Sequence, residues 1–110
     1  MRSLDYNITE PIKPSKVLRD FCKRNNVSQE ALCAAMCVSR RTVSQVINDK
    51  RRLSPFIAVR LSYITGTTAE FWLELQTQWD IWNERRSLRM SGARLTKLAF
   101  AEQPIVEEKV

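Results

Sequence analysis

Between Pro14 and Gly92 the chain has only one further glycine, Gly66, and one further proline, Pro55. Sheets built from hairpins need tight turns, and tight turns draw on residues that accept positive φ or come with φ already fixed. This stretch is therefore restricted to helices joined by short connections, and nothing prevents those helices from being long. The caps say where they start. Pro14 and Ser15 suit a first turn, so a first helix is expected from one of them to about Asn25, with Val17, Leu18, Phe21 and Cys22 on one face. Asn25 and Asn26 end it.

Ser28 can cap a second helix with Ala31, Leu32, Cys33 and Met36 inward, and after a turn at Cys37 and Val38, Ser39 can cap a third. In the third, Val43, Val46 and Ile47 face inward while Arg40, Arg41, Ser44, Gln45 and Asn48 face out. Ser54 and Pro55 open a fourth, mostly apolar helix through Phe56, Ile57, Val59, Leu61 and Ile64, which Gly66 closes. Thr67 and Glu70 have the spacing of a capping box, so a fifth and longest helix should begin there and run to Gly92.

Along the fifth helix Trp72, Leu75, Trp79 and Trp82 recur at spacings of three and four, the seam of a helix packed along its length. Trp72 and Leu75 read as core; Trp79 and Trp82 suit the core and a subunit interface equally. The chain thus divides into an N-terminal arm at 1–13, a helical domain at 14–92 and an extension at 93–110. The extension is expected to hold one more short helix from Ala93 to Glu102 before fraying.

At 110 residues, 44% hydrophobic and 27% charged, the composition is that of one globular domain. The net charge of +6 is unevenly placed: eleven Lys/Arg against Asp20, Glu30 and Asp49 give +8 between Ile12 and Gly66. A basic segment of this kind attracts polyanions. Cys22, Cys33 and Cys37 lack metal-ligand spacing, and no histidine could complete a site, so no metal or cofactor is expected, and Cys22 and Cys33 read as small core residues. The N-terminus has no apolar signal region and no run approaches a membrane span, which suggests a cytosolic chain. Glu70, Glu74, Asp80 and Glu84 follow the solvent side of the fifth helix rather than converging in a pocket, so catalysis is not expected.

Periodicity alone suits either an ordinary helical hairpin or a helix-turn-helix over residues 28 to 48; the outward side chains of the third helix favour the latter. The major groove admits one helix, whose first turns meet the base edges. Arg40 and Arg41 can each fork onto guanine O6 and N7, and Gln45 can make a two-point contact with adenine, with Ser44 contributing less. Ser28 and Gln29 sit at a helix N-terminus whose free amides favour a phosphate oxygen, and Asn48, Lys50, Arg51 and Arg52 lie where the chain leaves the third helix. With Ser39 and Thr42 at the start of that helix, these are the candidate DNA-contacting residues.

The segments SQEALC, VSRRTVS, NDKRRLSP and ITGTTAEFWLELQ, preceded by Lys13-Pro14-Ser15, resemble the Xre/Cro-type helix-turn-helix and within it the HigA-type antitoxins, over roughly Ile12 to Arg86. The resemblance implies an all-α, five-helix, lambda-repressor-like domain with a long C-terminal helix. It also implies an antitoxin that neutralises a RelE/HigB-like mRNA endonuclease and represses its own operon from a palindromic operator as a homodimer. We assign the dimer contact to Leu75, Trp79 and Trp82; the toxin contact could fall to the arm, the first helix or the segment after Gly92. A stand-alone repressor without a toxin, or a helical scaffold that no longer binds DNA, would share most of these residues. Cys33, Cys37 and Asp49 depart from the family pattern, which has alanine, a turn glycine and a glycine there. A left-handed backbone at Cys37 would cost about 1 kcal/mol.

Overall fold

A computed structural model describes residues 9 to 99 and 102 to 106, so most of the arm and the last four residues lie outside the described residues. Five helices follow in order: α1 (Pro14–Arg24), α2 (Gln29–Met36), α3 (Arg40–Ile47), α4 (Pro55–Thr65) and α5 (Ala69–Ser91). The described residues contain no strand.

The expected caps operate at α2, α3 and α4. Ser28, Ser39 and Ser54 each accept a hydrogen bond from the backbone N–H three residues on, at Ala31, Thr42 and Ile57. At α5 the cap is Thr68, one residue later than expected, and its hydroxyl accepts from the Phe71 N–H at 3.0 Å. The Thr67 hydroxyl is engaged elsewhere, accepting the indole N–H of Trp72 at 2.8 Å. A buried indole left unpaired would be costly, and this bond outweighs the alternative cap.

α2 and α3 pack together, α1 lies against α3 and α5, and α4 lies against α2 and α5. Leu18, Leu32, Met36, Val43, Val46, Ile57, Leu61 and Trp72 meet in the centre, all under 4% exposed. Each such side chain contributes roughly 1.5–3 kcal/mol by leaving water. Cys33 belongs to this core, and Cys22 is half-buried against it, where desolvation raises its thiol pKa. Cys37 is exposed. Ala31 is exposed as well, contrary to expectation, because the inward stripe of the two-turn α2 is filled by Leu32, Cys33 and Met36.

On α4 the inward positions are Ile57, Ala58 and Leu61, which leaves Phe56, Val59 and Tyr63 on the outer face. Leu75 packs against the core of its own chain. The helix expected after Gly92 does not form at residues 93 to 98. Gly92 turns left-handed at φ 77°, and Leu95 and Leu98 beyond it are 68% and 60% exposed. A short helix with no surface to bury is marginal in water.

Candidate nucleic-acid interface

The turn between α2 and α3 is closed by Cys37 in the left-handed region, at φ 57° and ψ 46°. Only glycine adopts this without cost, so the chain carries here the strain expected from its sequence. The turn delivers Ser39 as the cap of α3, and Ser39 Oγ also lies 3.0 Å from Thr42 Oγ1. Both hydroxyls thus fasten the start of the helix.

Arg40 and Arg41 project from the first turn of α3 and are exposed. The Arg41 side chain makes no hydrogen bond or ion pair among the described residues, whereas that of Arg40 lies 3.3 Å from the Glu30 carboxylate. Ser44 and Gln45 are half-buried on the same side. Asn48 turns its amide back onto α3, donating to the Ser44 carbonyl at 2.9 Å, and so secures the helix end. The end is held from the other side by Arg19 of α1, whose guanidinium donates to the Ile47 carbonyl at 2.8 Å.

The basic loop after α3 is ordered by a second set of contacts. Asp49 is left-handed at φ 61°, a conformation that aspartate tolerates better than most residues, and its carboxylate lies 3.4 Å from Lys13 Nζ. The negative charge that departs from the family pattern therefore has a cation beside it. Lys13 Nζ also sits 4.9 Å from the centre of the Trp79 ring. Lys50 and Arg51 are exposed, with Arg51 donating at 3.4 Å to Gln45 Oε1. Ser28 and Gln29 are exposed at the start of α2.

Arg52 has a different partner from the expected phosphate. Its Nε donates to Asp80 Oδ2 at 3.1 Å and its Nη2 pairs with the same oxygen. The other oxygen of Asp80 accepts from Gln76 Nε2 at 3.0 Å, and Gln76 Oε1 accepts the Leu53 backbone N–H at 2.8 Å. The hydrogen bond from Arg52 holds Asp80 below its ordinary carboxylate pKa, against some desolvation and with help from Gln76. Asp80 is thus no idle member of a solvent-facing row. Neither it nor Gln76 stood out in the sequence, although Gln76, four residues after the buried Trp72, is a polar residue on an apolar stripe.

Trp79 and Trp82 stack on one another with ring centres 5.4 Å apart, and Arg86 lies 5.6 Å from the Trp82 ring. Both are half-buried without a partner chain.

This arrangement has known counterparts. A family model described as helix-turn-helix matches residues 18–72. The chain is 36% identical to antitoxin HigA-1 of Vibrio cholerae over 68% of its own length and 71% of that protein's. It is 27% identical to YddM of Escherichia coli, an uncharacterized HTH-type transcriptional regulator, over 74% and 87% of the two chains. Among solved structures, Pseudomonas aeruginosa antitoxin HigA with the higBA promoter matches at 30% identity and a TM-score of 0.69, over 74% of this chain and 89% of that one. Antitoxin GraA in complex with its operator matches at 33% identity and a TM-score of 0.74, over 86% and 98%. A helix-turn-helix with an outward-facing arginine pair, followed by a basic loop and the Phe71-Trp72-Leu73 helix, places the chain in the Xre-type helix-turn-helix family, among the DNA-binding, non-enzymatic antitoxins of HigA type.

Proposed function

We propose that this chain binds a palindromic operator as a homodimer, represses its own operon, and neutralises a RelE/HigB-like mRNA endonuclease toxin. The observation that carries the DNA part is the outward face of α3. Arg40 and Arg41 stand there beyond the core, with Gln45 one turn further on, and the charged loop follows at once. Arg40 and Arg41 read guanine, Gln45 reads adenine, and Ser44 lends a lesser contact. Ser28, Gln29, Ser39, Thr42, Asn48, Lys50 and Arg51 meet phosphate oxygens and set the register. Arg52 lies beside this group by position, but its guanidinium is engaged by Asp80 rather than by phosphate.

Two recognition helices about one DNA turn apart, ~34 Å, would read the two halves of a palindrome. The outer half of α5, at Trp79 and Trp82, supplies the contact between copies, while Leu75 supports it from the core side. A structure of the relative from Pseudomonas aeruginosa holds the higBA promoter, and the structure of GraA holds its operator. The toxin half of the proposal rests on the likeness to antitoxins.

Binding to a duplex taken from upstream of the chain's own gene, set against a scrambled duplex, tests the first half. Co-expression with the product of the neighbouring reading frame tests the second: growth arrest by that product, relieved by this chain, is the expected result. Relief of arrest without operator preference would leave an antitoxin that is no repressor. Operator preference without a toxic neighbour would favour the stand-alone regulator.

A further inference from the structure

The two ends of the basic loop are fastened differently from its middle. Leu53, at its far end, is buried at 4% exposure, and its N–H is held by Gln76, itself only 7% exposed. A buried carboxamide must satisfy both its oxygen and its nitrogen, and Gln76 does so with Leu53 on one side and Asp80 on the other. That double use fixes which way the amide points. Asp80, oriented in turn by Gln76, takes the guanidinium of Arg52 through Nε and Nη2. At the near end Asp49 is paired with Lys13. Between these anchors Lys50 and Arg51 stand exposed.

We infer that Gln76 and Asp80 of α5 are positioning residues for DNA discrimination: they fix the loop backbone at Leu53 and restrain Arg52, so that only correctly registered DNA meets the loop well. The inference rests on the DNA-binding reading of α3. An unrestrained run of Lys50, Arg51 and Arg52 would attach to any duplex, since attraction to phosphates carries no sequence information. Holding one of the three guanidinium or ammonium groups on a carboxylate lowers that indiscriminate term. Fixing the backbone of the loop leaves the remaining two at a set distance from α3.

The Asp80→Asn variant keeps the side-chain shape and an acceptor for Gln76 but releases Arg52. Fluorescence anisotropy of two labelled duplexes, one from upstream of the chain's own gene and one scrambled, is followed over a range of salt concentrations at temperatures where each variant is folded. Asp80→Asn is expected to bind the scrambled duplex more tightly and to steepen the slope of log affinity against log salt by about 0.9, the value for one added phosphate contact. Preference for the upstream duplex should fall about fivefold, the scale of one lost hydrogen bond. Adding Arg52→Ala to Asp80→Asn should return the slope to its wild-type value. Equal loss on both duplexes with an unchanged slope would mean that Asp80 merely supports the fold, and an unchanged preference would equally overturn the inference. A wild-type chain with no preference between the duplexes would overturn the DNA reading itself, which the wild-type titration reports separately.

Discussion

Arg40, at the first position of α3, lies 3.3 Å from the carboxylate of Glu30 in the first turn of α2, so a side chain proposed to read a base is first held by its own protein. The two side chains are 76% and 71% exposed, and an exposed pair of this kind contributes at most about 1 kcal/mol. Arg40 must leave Glu30 to reach guanine. Glu30→Gln is therefore expected to tighten operator binding by no more than about fivefold. Titration of the labelled operator at low salt measures it; weaker binding would show that Glu30 orients Arg40 rather than competing for it.

The α3 face and the loop should respond differently to substitution. Arg40→Ala, Arg41→Ala or Gln45→Ala should each remove about 1–3 kcal/mol of discrimination at one base position. Lys50→Ala and Arg51→Ala should weaken binding to every sequence and make the salt slope shallower by about 0.9 each. Affinities for a panel of single-base operator variants, taken at several salt concentrations, separate the two behaviours.

Cys37 occupies a left-handed position that glycine would hold without steric cost. Cys37→Gly should raise the free energy of unfolding by up to about 1 kcal/mol, the gain being reduced by the larger conformational freedom of glycine in the unfolded chain. Urea unfolding shows the change directly. The same variant should lose the fast thiol reaction with Ellman's reagent in the native state, because Cys22 and Cys33 are half-buried and buried.

Asp80 has a folded-state pKa below its ordinary 3.8, chiefly because Arg52 hydrogen-bonds its charged form. A depressed carboxylate stabilises the fold at all pH values above its unfolded pKa, and that stabilisation is lost as the pH falls through the folded value. The melting temperature of the wild type should exceed that of Asp80→Asn by a constant margin from pH 7 to about pH 5, and the two should converge below about pH 4. Calorimetry across that range checks the sign, and convergence on the alkaline side instead would contradict it.

If the outer half of α5 joins two copies, Trp82→Glu should produce monomers at micromolar concentration, whereas Val59→Glu on the outer face of α4 should not. Light scattering after size-exclusion chromatography distinguishes the variants. Dissociation by Val59→Glu alone would move the interface to the face formed by Phe56, Val59 and Tyr63.

Local signals carried much of the architecture. Pro14, Ser28, Ser39 and Ser54 begin helices where their side chains predict, and Gly66 and Gly92 end them, because caps act within three or four residues. The start of α5 moved by one residue because Thr67 was needed by an indole, a demand set by burial of Trp72 rather than by the local sequence. The outward placement of Arg40 and Arg41 was legible from helical spacing. The partners that restrain the site were not. Asp80 and Glu84 look alike on a helical wheel, and only the packing of α4 on α5 brings Arg52, 28 residues away in sequence, to one and not the other. Lys13 and Asp49, 36 residues apart, meet because α1 packs on α3.

α5 runs unbroken for 23 residues, about 34 Å, and its inner end is pinned by the buried Trp72. One end is thus fixed in the core while the other stands in solvent, with Met90 76% exposed. Gln76 and Asp80 lie about one and two turns beyond Trp72, while Met90 and Ser91 lie at the tip. A partner seated on that tip would stand about 15 Å along the helix axis from Asp80, clear of the basic loop.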